Sequence, residues 1–318
     1  MGALIARRLA AGVGVLLAVS LLVFVATLLL PGDPAQAVLG QQATPERVAA
    51  LREQMGLDEP AWLRYLGWLG GLVTGDLGVS AATGEPVSEL LGERIGASLL
   101  LMVLASALSV PVGVALGCWV AWRRGRAVDH VATGITLVLA ALPEFVVGLG
   151  LIVALSTTVL PVLPSVTLAP PGEPVWFYPA QLVLPVLTLV LVVTPYITRM
   201  MRATMSEVLD SGHVEMARLK GVPERQVLWR HAVPHALAPV AQVVAVQLAW
   251  LAGGIVVVEF LFRYPGVGQA LVDAVANRDV LVVQAVAMLV AAVYLVVNLA
   301  ADLVGIVTDP RVRTGAGR

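Results

Sequence analysis

The chain has one lysine, Lys220, and it stands between Leu219 and Gly221. A phosphate-cradling loop needs its lysine after a glycine and before Ser or Thr, because the ammonium must reach the phosphates while the hydroxyl holds magnesium. Lys220 has neither neighbour in place, so the chain carries no such loop. A GxSxG elbow, an HExxH helix and a GxGxxG turn following a strand are missing as well. His231 and His235 have metal-ligand spacing on a helix, but they lie beside Arg230 with no nearby acidic or Cys ligand. Cys118 is alone, which excludes an intrachain disulfide or a Cys-based metal site and leaves it a packing role. The sequence predicts no catalytic residue, no metal site and no cofactor held by this chain.

The polar residues inside apolar stretches are a second source of chemistry. Glu144 follows Pro143 in the middle of such a stretch, where a carboxylate must face protein or water rather than lipid. A structural carboxylate and a residue on a translocation path are both open for it. Gln242, Gln247, Gln284 and Asn298 suit bridging between helices as well as lining a pore. Glu259 and Asp302 lie near the ends of their stretches, where capping or packing is the default.

The elements that must position these residues are set by composition. The chain is 58% hydrophobic and 13% charged, with a mean hydropathy of +0.89, far from a soluble domain. Stretches of about twenty apolar residues, each long enough to cross a bilayer core as a helix, recur six times. They are Leu9–Leu30, Ala97–Val120, Val131–Val159, Leu182–Met201, Val240–Val258 and Val280–Val307. The prediction is an all-α integral membrane protein with six transmembrane helices. The first stretch is too long for a signal-peptide core, and Pro31-Gly32-Asp33-Pro34 offers no small-x-small cleavage site, so it reads as a retained anchor. With the N-terminus inside, the basic residues split 14 to 6 in favour of the cytoplasm, which predicts both termini there. Basic patches with interleaved aromatics are absent, so nucleic acid is not a predicted partner.

Two hydrophilic segments stand out. Between the fourth and fifth stretches, 199–235 reads as a capped helix: Asp210 and Ser211 suit its start, Glu215 its first turn, and Arg218 and Lys220 its last turn. Gly221 then supplies a left-handed stop, with Pro223 beyond it. Such an element is either a plain cytoplasmic helix pair or a docking element that a soluble motor can push. The external segment 31–96 is the largest piece outside the spans. Thr44-Pro45 starts a helix whose Val48, Leu51 and Met55 share a face and which Gly56 stops; Pro60 opens a second amphipathic stretch through Trp62, Leu63, Leu66, Leu69 and Leu72. These faces either lie on the membrane surface or the helix bundle, or receive an external protein; Glu46, Arg47, Arg52 and Glu53 are the charged candidates for that contact. The Pro-rich stretch 157–180 reads as irregular.

These residues resemble a family. Pro31-Gly32-Asp33-Pro34, Gly75-Asp76-Leu77-Gly78 with Ser80, Glu259 to Phe262 with Pro265-Gly266-Val267-Gly268, and Asn298 to Asp302 with Asp309-Pro310-Arg311 look like landmarks of the inner-membrane permeases of dipeptide, oligopeptide and nickel ABC importers. The family's cytoplasmic signature has a Glu-Ala-Ala triplet, a Gly six residues after the Glu and a closing Leu-Pro. Glu215, Ala217, Gly221 and Pro234 match it, whereas Met216 and Val233 depart from it. The resemblance implies a type I ABC importer permease fold with 1–30 as tail and first helix, 31–96 as an extracytoplasmic helical segment, 97–307 as the core with its coupling loop 199–235, and 308–318 as a cytoplasmic tail. It also implies a bacterial inner membrane, a second homologous permease, two ATPase subunits that bind ATP and Mg, and an extracytoplasmic solute-binding protein. Residues Glu215, Ala217, Lys220, Gly221 and Pro223 would then belong to the coupling loop. The implied cargo is a peptide, with a nickel chelate or another small solute as the alternative. The rival from another class is a self-sufficient secondary transporter, for which Glu144 alone is a thin set of coupling carboxylates.

Overall fold

The computed structural model describes residues 2–29, 34–39, 43–54, 56–170 and 173–308, without the side chains of 2–5, 34, 37–38, 51, 54, 238 and 301–308. Pro31-Gly32-Asp33, Met55, the side chains of Leu51 and Asp302, and the Asp309-Pro310-Arg311 ending therefore lie outside the described residues. In chain order the helices are α1 (Gly2–Leu28), α2 (Pro34–Leu39), α3 (Pro45–Gln54), α4 (Ala61–Thr74), α5 (Val87–Trp122), α6 (Ala127–Ala141) and α7 (Glu144–Ile152). They continue with α8 (Pro179–Leu209), α9 (Gly212–Leu219), α10 (Glu224–Gln226), α11 (Val233–Leu261), α12 (Val267–Ala276) and α13 (Val280–Thr308). Among the described residues the one strand-like contact is a bridge between Val79 and Pro86.

Five helices carry continuous apolar spans: Ala6–Leu28, Val87–Trp122, Pro179–Leu209, Pro239–Leu261 and Val280–Ala300. The sixth expected span is not continuous. Its two halves, Ala127–Ala141 and Glu144–Thr157, meet at 104°. The bend falls where Leu142 precedes Pro143 and takes an extended conformation (φ −83, ψ 134), the one a following proline favours. Pro143 then opens α7 with its missing N–H in the one place where it costs nothing. By contrast, Pro185 and Pro195 lie inside α8 without ending it. The second span also differs from expectation. It begins at Val87 rather than Ala97, because Val87–Gly96, although it holds Glu89, Glu93 and Arg94, continues the same helix.

The chain forms two compact units. One comprises Met1–Leu99 with Arg263–Leu295, the other Leu100–Phe262 with Val296–Arg318. In the first, Val87 and Leu91 of α5 pack with Val267, Ala270 and Ala274 of α12 and Val282, Ala285 and Val286 of α13. The Tyr264 hydroxyl donates to the Ala97 carbonyl at 2.7 Å and the Val267 N–H to Ser98 Oγ at 2.8 Å, which fixes α12 against α5. Gln284 donates to Thr27 Oγ1 at 2.7 Å, so of the four polar span residues this one bridges α13 to α1.

In the second unit α8 is the most enclosed span. Gly113 and Gly117 of α5 let that helix approach it: a Cβ on Gly113 would lie 2.7 Å from Ile197 Cβ, and one on Gly117 2.5 Å from Met201 Cβ and 2.8 Å from the Thr198 carbonyl. This is the small-residue packing by which helices associate where no hydrophobic force drives them together. Gly148 does the same for α7, since a Cβ there would collide with Leu261 of α11. Cys118 is buried in α5, as its packing role requires.

Candidate functional site

The segment from α8 to α11 is built around α9. Ser211 takes the extended N-cap conformation (φ −80, ψ 149), but its side chain does not cap. The hydroxyl is turned back to the Val208 carbonyl and to His213 Nδ1. Asp210 does not cap α9 either, since its carboxylate accepts from Arg124 at 2.6 Å. The expected capping by these two side chains is therefore corrected; backbone bonds from Val214 and Glu215 N–H to the Ser211 carbonyl start the helix instead. Glu215 does fall in the first turn and Arg218 in the last. Lys220 lies one step beyond, at the C-cap, rather than in the last turn.

The stop at Gly221 is a full Schellman motif. Gly221 is left-handed (φ +75), its N–H bonds the Arg218 carbonyl at 2.9 Å, and the Val222 N–H bonds the Ala217 carbonyl at 3.2 Å. Val222 also packs with the buried cluster of Val214, Ala217 and Val227, which seats one face of α9 on its own chain. Pro223 is the extended residue before α10. Arg218 pins the corner: its guanidinium grips Glu224 side-on at 2.7 and 3.2 Å and also donates to the Leu209 carbonyl at 3.3 Å. Its hydrogen bond outweighs the opposing effect of burial and holds the Glu224 carboxyl below its ordinary range. The opposite face of α9 presents Met216 and Leu219, 53% and 75% exposed. Two large apolar side chains exposed on a short, firmly seated helix form a surface suited to a partner's groove.

Beneath α9, α8 is tied to α6. Arg202 donates from Nε to Asp129 Oδ1 at 2.5 Å and from Nη2 to Oδ2 at 2.9 Å, while Asp129 also accepts from the Gly125 N–H at 3.0 Å. No sequence motif announces this pair. Asp129 was the available signal, being the one acid between Glu93 and Glu144 and standing next to a run of arginines.

His235 meets His213 edge-on, with ring centroids 4.9 Å apart. His231 belongs to the π-helical turn Val227–Ala232, whereas His235 belongs to α11. Glu144 is the first residue of α7 and half-buried at the broken span. Glu259, for which capping or packing was the default, is fully buried.

Other motifs turn out to be joints. Asp279 caps α13: it accepts from Ser80 Oγ at 2.5 Å, from the Ala82 N–H at 3.3 Å and from the Val282 N–H at 3.4 Å. Gly75 and Gly78 are left-handed (φ 83 and 78), and Asp76 accepts from the Gly78 N–H at 3.0 Å. The Gly-Asp-Leu-Gly motif thus shapes the turn that carries Ser80 to Asp279. On α3, Glu46, Arg47 and Glu53 are exposed, while Arg52 is half-buried and paired with Asp58 at 3.0 Å.

Helices long and apolar enough to cross a membrane, one of them broken, with a capped helix between two of them, mark a multi-pass membrane protein. The chain belongs to the family of binding-protein-dependent transport system inner membrane components: the family model matches residues 113–314, and the model of that family's N-terminal part matches residues 1–102. It is 37% identical over 315 residues to the probable peptide ABC transporter permease protein y4tP of Sinorhizobium fredii, covering 98% of this chain and all of the relative. It is 34% identical over 332 residues to the dipeptide transport system permease protein DppB of Escherichia coli, covering 97% and 98% of the two chains. A similar protein from Alkalihalophilus pseudofirmus, also a dipeptide transport system permease protein DppB, is 32% identical over 327 residues, covering 96% and 98%. The chain is therefore a permease component of the bacterial inner membrane and not an enzyme, and such a component works with ATPase and binding-protein partners.

Proposed function

We propose that this chain is the membrane-spanning permease subunit of an ATP-driven importer of di- and oligopeptides. Peptide cargo is supported by the names of relatives that match over nearly the full length. The observation that carries the mechanism is α9. Its inner face is locked to its own chain by Val214, Ala217, Val222 and Val227, and Gly221 ends it abruptly. Its outer face presents Met216 and Leu219. A helix held this firmly moves as a unit, so α9 with Glu215, Ala217, Lys220, Gly221 and Pro223 is the coupling element that an ATPase subunit displaces.

ATP and Mg belong to two partner ATPase subunits, because this chain has no phosphate loop of its own. A second homologous permease completes the path, both termini are cytoplasmic, 31–96 lies on the external side, and 97–307 forms the translocating core. Glu144, at the break of the third span, lines the path. Glu46, Arg47, Arg52 and Glu53 on α3 meet the solute-binding protein. The experiment is co-purification of the ATPase subunits in detergent together with peptide uptake in reconstituted vesicles. ATPases should come through with the wild-type chain and be lost when Met216 and Leu219 are both changed to Glu. Retention of the ATPases by that variant, or uptake driven by an ion gradient without ATP, would refute the reading.

A further inference from the structure

Helix α4 is apolar on two faces, and its only charged residue is Arg64. One face packs on α1. The Tyr65 and Trp68 rings lie 5.3 and 6.1 Å from the Phe24 ring, and the Tyr65 hydroxyl is 2.9 Å from Ser20 Oγ. The other face carries Trp62, Leu66, Leu69 and Val73 at steps of four, three and four. Trp62, Leu66 and Val73 are 64%, 55% and 84% exposed. A helix lying between water and protein would make that second face polar.

The depth of the contact tells what covers it. The α1 span ends at Leu28. At 1.5 Å per residue, Phe24 and Ser20 lie about 6 and 12 Å inside that end. Helix α13 gives a second ruler. It runs antiparallel to α1, with Gln284 bonded to Thr27 and Leu295 against Gly12, and Gln284 lies about 6 Å past the start of the Val280–Ala300 span. Tyr65 and Trp68 therefore meet α1 deeper than this level, inside the hydrocarbon core on its Leu28 side. On α1, the helix that α4 packs against, Leu17, Leu21, Leu22 and Val25 are exposed as well.

We propose that α4 is embedded in the bilayer, with Trp62, Leu66, Leu69 and Val73 against lipid acyl chains rather than water or the binding protein. Its ends are prepared for that solvent, which satisfies no backbone group. At the start, Leu63 and Arg64 N–H bond the Pro60 carbonyl at 2.9 and 3.2 Å. At the finish, the Asp76 N–H bonds the Gly71 carbonyl at 2.9 Å, and Thr74 Oγ1 reaches the Gly70 and Gly71 carbonyls at 3.2 and 3.1 Å. Arg64 is half-buried, and its long stem lets the guanidinium rise to the headgroups.

The test is power-saturation EPR on the assembled transporter in phosphatidylcholine–phosphatidylglycerol vesicles. Single nitroxides are placed at Leu66→Cys and Val73→Cys in a Cys118→Ser background, with Leu22→Cys as the lipid control and Glu53→Cys as the water control. Gly70→Cys gives a further site at which an added side chain meets nothing within 4 Å, so it remains usable if a leucine variant misfolds. Oxygen should relax the α4 labels several-fold more than a water-soluble nickel chelate, as at Leu22. Nickel access matching that at Glu53 would overturn the proposal by exposing α4 to water. Protection from both reagents would overturn it by showing a protein partner on this face.

Discussion

Asp129 and Arg202, seventy-three residues apart, form a side-on ion pair with both guanidinium contacts under 3 Å. The Asp129 side chain is 5% exposed and that of Arg202 32%. Removing one partner strands a charge that is not free to hydrate, which typically costs about 3–5 kcal/mol at a fully buried site. Because Arg202 is partly open, we expect Asp129→Ala to lower stability by about 2–3 kcal/mol. Thermal unfolding in detergent measures it. The exchanged pair Asp129→Arg with Arg202→Asp should recover part of the loss; no recovery would mean that the surroundings, not the pairing, hold α6 to α8.

At Gly221 an added Cβ meets no neighbour within 4 Å, so any penalty comes from the left-handed backbone alone. That penalty is about 1–2 kcal/mol for most L-residues, with Asn the best tolerated. Gly221→Val should therefore assemble in the membrane yet lose most ATP-coupled uptake, with Gly221→Asn close to wild type. Uptake per ATP hydrolysed, at equal protein level, is the deciding ratio. Equal ratios for Val and Asn would remove α9 from the coupling role.

Glu144→Gln keeps a polar group at the broken span, whereas Glu144→Leu removes it. If Glu144 lines the path, uptake falls with Gln and falls further with Leu while expression stays normal. Peptide uptake alongside membrane protein level checks this. Wild-type behaviour of both variants would exclude a path or structural role.

On α3, Glu46 and Glu53 are the better probes of a binding-protein contact than Arg52, whose reversal would also break its pair with Asp58. Glu53→Arg should slow binding-protein-stimulated ATP hydrolysis and change its salt dependence, because charges of this kind set on-rate more than affinity. Unchanged stimulation across ionic strengths would move the contact to the 157–180 segment.

Much of this architecture can be read locally. Gly221 and Gly56 announce helix ends, and both make the expected bonds: Gly56 N–H reaches Glu53 and Leu57 N–H reaches Arg52. Such motifs need only a few neighbouring residues, so one sequence suffices. Pro143 is different. Pro111, Pro185 and Pro195 sit inside helices that continue, so proline alone does not tell which apolar run will break; packing of α7 against α8 and α11 decides it. The Asp129–Arg202 and Ser80–Asp279 joints span 73 and 199 residues, and no local periodicity reports a partner that far away. The start of α5 was hidden for another reason. Its charged first turns do not resemble a span, yet nothing in them halts a helix.

The bend after Leu142 also bears on how the chain enters the membrane. Neither half of the broken span reaches across a bilayer: each covers roughly 22 Å at 1.5 Å per residue, against a core of about 30 Å. An insertion machine that tests segments one at a time would find α6 too short to hold. A crossing by this segment therefore needs both halves, and the partner that Asp129 meets, Arg202, is made only 73 residues later.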